Sequence, residues 1–355
     1  MKKQHNINIT CKQTGLTLVE LMVAMIISLL LIGGTITIFV SNKQTYRINE
    51  ASSRVQENGR FAFNFIKPDV RMAGFMGCLN PSSSSFYNNV DVAKYDSVVG
   101  DTAISSAING FIGGNSVNGY SYGTGTLPSE LTGLGLTSGT STEDVVPNTD
   151  IIVIKRAEDC NGNKLVDPKT NANFKIETNA NCNIQQNQIL FVSNCLRADL
   201  FAATDVTGGA NPTLKTKNTI NENDNISASY GPESEVYIFQ TIIFYIGQGA
   251  SGEPSLFKRS LELNPAGTQV VFDNQELVEG VSDMAINYGV DSDGDGSADY
   301  YVDASTVPGS EWDNVISLRV RLDAQSTQVN VTQNNAANQN RLTHTFTETI
   351  RIRNR

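Results

Sequence analysis

Residues 21–41, LMVAMIISLLLIGGTITIFVS, contain no charged side chain, and the first charge after them is Lys43. About 20 apolar residues at about 1.5 Å each match a hydrocarbon core of about 30 Å, so this stretch is predicted to cross a membrane as a helix. The pattern then changes without breaking. Ile48, Ala51, Val55, Ala62, Phe65 and Ile66 recur at spacings of three, four and seven, which puts them on one face of a continuing amphipathic helix. Glu50 with Arg54, and Glu57 with Arg60, mark the opposite, solvated face. Residues 16–67 thus read as one rod of roughly 80 Å, with a soft point at Gly33 and Gly34, where glycine costs a helix about 1 kcal/mol each. Pro68 has no amide hydrogen and crowds the preceding turn, so it is predicted to kink or end the rod, with a short continuation over residues 69–74.

Downstream, residues 80–147 are rich in Ser, Gly, Asn and Thr and read as a loop-dominated insertion with few short elements. Strand patterns follow at 151–155, 188–193, 235–246, 284–288, 315–322 and 345–352. Alternation is clearest in the last two, as in half-buried antiparallel strands. The predicted fold class is α+β: a long N-terminal helix packed into an antiparallel sheet head with long loops.

Of the 355 residues, 39% are hydrophobic and 17% charged, enough to bury a sizeable core as one or two domains. The formal charge of −10 gives no footprint for nucleic acid. The only histidines are His5 and His344, and there is no GxxxxGK[ST] loop, HExxH or CxxC. A Ser–His–Asp arrangement would have to use His344, with no nucleophile elbow beside it. This composition leans away from an enzyme, and no organic cofactor is expected.

Residues 1–15 carry Lys2, Lys3 and Lys12 and no acid, which keeps the N-terminus cytoplasmic. A secretory signal peptide would leave through a small-residue cleavage site after its apolar run, but here the chain continues as SNKQTYRINEASSRVQENGR. A signal anchor fits the orientation but leaves Glu20 unexplained, because an ionised acid inside an apolar span costs on the order of 2 to 3 kcal/mol unless paired. Gly15-Leu16-Thr17-Leu18-Val19-Glu20-Leu21 resembles the type IV prepilin motif. The resemblance implies that a prepilin peptidase cuts between Gly15 and Leu16 on the cytoplasmic face, that the new Leu16 amine is methylated, and that Glu20 assists docking into a filament by pairing with a neighbouring subunit's amine. Residues 59–78, with Arg71, Ala73, Gly74, Phe75, Gly77 and Cys78, resemble the helix end of the minor pilin family PilW. Gly280-Val281, Trp312 and the terminal Arg353-Asn354-Arg355 extend the likeness.

The family implies a division into a cleaved leader (1–15), a pilin helix (16–77, spanning the membrane over 21–41) and a periplasmic, later extracellular, head (78–355). It implies a structural role in priming a type IV pilus or capping its tip. The partners would be other minor pilins, the major pilin, a large tip adhesin and the inner membrane. A minor pseudopilin of type II secretion, GspJ-like, is the alternative, since its N-terminal motif and head plan are related.

Cleavage would remove Cys11 and leave Cys78, Cys160, Cys182 and Cys195. In an oxidising compartment four cysteines suggest disulfides, with three possible pairings. Cys160 with Cys182, and Cys78 with Cys195, is the pairing favoured here. A zinc site is the alternative, without a paired-ligand knuckle in the spacing.

Asp291-Ser292-Asp293-Gly294-Asp295-Gly296-Ser297-Ala298-Asp299 has the D-x-D-x-D-G order of a Ca²⁺ loop. Asp291, Asp293 and Asp295 stand at positions one, three and five, the Ser297 carbonyl at seven and Asp299 at nine. Position twelve, normally a bidentate Glu, is Val302, with Asp303 beside it. A solvated acidic β-turn is the alternative. The segment from Asp159, with Asn161, Asn163 and Asp167, is a weaker echo in which Lys164 replaces the glycine.

Overall fold

The computed structural model describes residues 15–79, 86–100, 102–109, 115–165, 173–177, 184–208, 212–227, 230–232, 234–266, 269–309, 311–332 and 336–353. Helix α1 (Leu18–Arg71) is unbroken, and Pro68 lies inside it. The proline removes one hydrogen bond in a helix that has only its last turn to run. That turn is held from outside: the Asp69 carboxylate, 8% exposed, meets Arg156 and Lys258, each at 3.1 Å. The helix therefore ends at Arg71, short of residue 77.

The strands are β1 (Phe86–Asn88), β2 (Val117–Tyr122), β3 (Thr149–Leu165), β4 (Asn173–Glu177), β5 (Ile189–Ser193), β6 (Ala198–Ala202), β7 (Asp205–Thr207) and β8 (Thr213–Lys215). Then come β9 (Glu235–Gln248), β10 (Pro254–Leu263), β11 (Val270–Glu279), β12 (Val281–Val290), β13 (Tyr300–Asp303), β14 (Val315–Gln325) and β15 (Thr343–Arg351). The larger sheet has the order β1-β6-β5-β9-β3-β4-β8-β7, with β10 joining β9 to β11 and β2 paired to β3. A second sheet has the order β13-β12-β14-β15. Every pairing is antiparallel except that of β1 with β6. All six predicted strand runs coincide with observed strands, those at 188–193 and 345–352 each overhanging by one residue.

Within 80–147 the chain forms β1, β2 and short helices α2 (Val92–Val99), α3 (Thr102–Asn109) and α4 (Ser129–Gly133). Tyr95, Ile104, Ile108 and Leu131 from these helices cover one face of the larger sheet, against Val153, Phe239, Ile243 and Tyr245. The other face, with Ile152, Ile154, Ile242 and Phe244, packs with Phe63, Ile66 and Val70 of α1 and with Ile286, Leu318, Val320 and Ile350 of the smaller sheet. The upper half of α1 is thus a core element of the head. It approaches β15 closely enough that a Cβ on Gly59 would lie 2.3 Å from the Phe346 ring.

The chain after α1 explains the Arg-x-Ala-Gly-aromatic-x-Gly-Cys pattern. Gly74 and Gly77 take φ of 72° and 69°, a left-handed conformation open to glycine at little cost. Gly74 N–H donates to Lys155 O, and the Phe75 ring meets Tyr237 edge-on at 5.7 Å. Cys78 is bonded to Cys195, one of the two pairings expected. The Cys160 side chain and Cys182 lie outside the described residues. Residues 159–165 belong to strand β3, with a register shift against β9 between Asp159 and Lys164; the Asn161 and Asn163 side chains and Asp167, on which the Asp159 echo depends, lie outside the described residues.

Candidate assembly helix and acidic loop

Helix α1 begins with Thr17 as N-cap. Its hydroxyl accepts from Glu20 N–H at 3.3 Å and donates to Glu20 Oε2 at 2.9 Å, while Thr17 N–H donates to the same Oε2 at 3.0 Å. This is a capping box, whose Thr-x-x-Glu signature at Thr17 and Glu20 is readable in the sequence but is not among the readings above. It gives Glu20 two local donors, so part of the cost of placing an acid beside an apolar span is offset within the subunit. Glu20 Oε1 takes no hydrogen bond among the described residues and remains open to an outside donor.

Gly15 and Leu16 precede the cap outside any helix or strand, and a Cβ built on Gly15 meets nothing within 4 Å. The large apolar side chains from Leu16 to Val40 are 49% to 75% exposed. An apolar surface of this extent is untenable in water and calls for lipid or other helices as its cover. Among the described residues α1 is the one helix long and apolar enough to cross a bilayer.

The acidic loop connects β12 to β13. Asp291 is 8% exposed; its two oxygens accept from Gly294 N–H and Gly296 N–H, each at 2.7 Å. Those glycines have φ of 78° and 85°, so glycine at both positions lets the backbone curl around Asp291. Asp299 Oδ2 accepts from the Ser292 hydroxyl at 2.6 Å and from its N–H at 2.8 Å, and these two bonds hold the Asp299 carboxyl below the usual carboxylate range. Asp291, Asp293 and Asp299 each bring a carboxylate oxygen within 4.8 Å of the others. Asp295 is not among these three; it accepts from Ser297 N–H at 2.7 Å. Val302 packs against the core and Asp303 accepts from Asn287 at 2.7 Å; neither belongs to the three that converge. Arg351 donates to Gly296 O at 3.0 Å, bringing a cation to the loop's edge.

The prokaryotic N-terminal methylation motif matches residues 10–36, and the family model described as Type IV Pilus-assembly protein W matches residues 243–354. The two matches together support a type IV pilin-like protein of the PilW family. The C-terminal match begins within β9 and takes in β10, β11, the whole of the smaller sheet and the acidic loop. Residues 37–242 lie outside both matches. No curated protein and no solved structure matches the chain significantly. The matches and the apolar helix support a component of type IV pilus assembly, anchored in the inner membrane by α1 with its head in the periplasm.

Proposed function

We propose that this PilW-family protein is a minor pilin that primes the filament and stays at or near its tip with other minor pilins. The observation that carries this is the start of α1: a fully exposed apolar helix, an open Gly15–Leu16 bond before it, and a Glu20 whose Oε1 is free for a neighbour's amine. Prepilin peptidase cuts after Gly15, the Leu16 amine is methylated, and in the filament that amine reaches Glu20 of the adjacent subunit. Pairing of the two charges offsets the cost of burying each. A head built on two sheets is bulky for a subunit repeated along a shaft, which favours the tip, where the major pilin continues below and a tip adhesin sits above. The match over 243–354 favours a pilus subunit over a secretion pseudopilin.

The test uses two variants. Gly15→Phe leaves a full-length, uncleaved band on a gel, while Glu20→Val is cleaved normally but cuts surface piliation several-fold. Normal maturation of the first, or wild-type piliation with the second, overturns the corresponding assignment.

We also propose that the loop over residues 291–299 holds Ca²⁺ through Asp291, Asp293 and Asp299, with Asp295 and the Ser297 carbonyl as further oxygen donors. Hard oxygen ligands suit Ca²⁺, and an ion relieves the repulsion among carboxylates this close.

A further inference from the structure

The β14–β15 loop descends beside α1 to the level of the apolar span. Its two described limbs, residues 326–332 and 336–342, are built rather than slack. Asn330 N–H donates to Gln339 O and Val331 N–H to Asn340 O, both at 2.9 Å. Arg341, 8% exposed, donates to Ser326 O at 2.8 Å and Thr327 O at 2.9 Å, and to Glu253 Oε1 at 2.8 Å. The loop is fastened to the helix as well. Gln44 Nε2 donates to Val331 O at 2.7 Å and Arg47 to Val329 O at 3.2 Å, while Asn330, Thr332 and Asn340 share a crevice with Thr37, Val40 and Ser41.

Irregular backbone and Asn side chains do not lie among lipid tails, because their polar groups find no partners there. The hydrocarbon must therefore end below Thr37, even though the uncharged run continues to residue 41. Residues 18–36 still span roughly 28 Å at about 1.5 Å per residue, close to the about 30 Å required. Above them the loop carries no charge from residue 324 to 340, and the cations at this level are Lys43 and Arg47 of the helix, which suit lipid phosphates.

We propose that this loop is a footing on which the head rests on the phospholipid headgroups of the periplasmic leaflet, setting how deep α1 sits. The occupant is lipid because the surface continues directly from the exposed apolar helix that anchors the chain. The footing rests on that membrane reading. It places the periplasmic boundary near Ile36 and Glu20 within about one turn of the cytoplasmic boundary, where water and headgroups reach its carboxylate.

The test is depth-dependent quenching of the full chain in phosphatidylcholine–phosphatidylglycerol vesicles, with a fluorescent amino acid placed in turn at Ile32, Val40, Ala336 and Gln56, all exposed. Quenching lipids carry a nitroxide either on the headgroup or at mid-chain. The footing predicts that Ala336 is quenched by the headgroup nitroxide as strongly as Val40, and several-fold more than Gln56, which lies roughly 24 Å farther along the helix. Quenching at Ala336 no greater than at Gln56 means that the head stands clear of lipid, and stronger quenching by the mid-chain nitroxide means that the loop is immersed; either overturns the footing. Loss of mid-chain quenching at Ile32 overturns the membrane reading itself, and the footing with it.

Discussion

Lys155, 4% exposed on β3, has no side-chain hydrogen bond or ion pair among the described residues. Across the strand pair stands Thr241, whose hydroxyl is buried without a partner. Burial pushes the Lys155 ammonium down to about 8 from its ordinary 10.5. Below about pH 8 both folded and unfolded chains hold the proton, and the fold bears the full cost of the buried charge. Between pH 8 and 10.5 the folded chain releases the proton first, so stability rises by about 1.4 kcal/mol per pH unit. The melting temperature should therefore climb between pH 7.5 and 9.5. Lys155→Met should abolish that climb and stabilise the protein at pH 7 by up to about 3 kcal/mol; a slope unchanged in the variant would refute the assignment. Gly119 makes a second test. A Cβ there would sit 2.0 Å from the Tyr288 hydroxyl, itself buried and without a partner. Denaturant unfolding should show Gly119→Ala losing about 1 to 3 kcal/mol through overpacking. Tyr288→Phe, which deletes an unsatisfied hydroxyl, should cost little and recover part of that loss when the two are combined.

Among the elements, those with a strong local pattern are the ones the sequence displays. The apolar run of α1, the alternation of β14 and β15 and the nearly continuous apolar β9 are each visible without tertiary knowledge. By contrast, β11 is an edge strand in which Asp273, Asn274, Gln275 and Glu276 stand in succession, so its pairing with β10 has no period to announce it. Helices α2 and α3 are short, and their buried positions gain meaning only from the sheet face beneath them. The end of α1 beyond Pro68 is legible only once Asp69 is seen between Arg156 and Lys258. The order of acids in the loop after β12 is plain in the sequence, but which three converge is a property of the backbone. For that loop, Ca²⁺ should raise the melting temperature of the full chain in detergent, and Asp293→Ala should remove the rise. A wild-type melting curve indifferent to Ca²⁺ and to chelator would dispose of the ion.

The molecule as a whole joins a lipid-facing rod to a two-sheet head, and two kinds of bond secure the joint. Cys78 and Cys195 are 117 residues apart in sequence, and cross-linking a segment of that length restricts the unfolded chain by about 2 to 5 kcal/mol. Cys78→Ser with Cys195→Ser should lower the unfolding free energy by that amount, as should thiol reduction of the wild type; an unchanged denaturant midpoint would contradict it. The pairing could not be fixed from spacing alone, because four cysteines allow three arrangements and only the fold brings the helix end to the β5–β6 turn. The ion triad at Asp69 has a mechanical consequence. In a fibre under the proposed function, traction running up α1 would pass into the larger sheet through the apolar packing of Phe63, Ile66 and Val70 and through one carboxylate gripped by cations from two different strands, with the sulfur bridge just beyond as a tether. Weakening Asp69 would therefore show first under tension, as a joint that slips, before it showed in a quiescent sample.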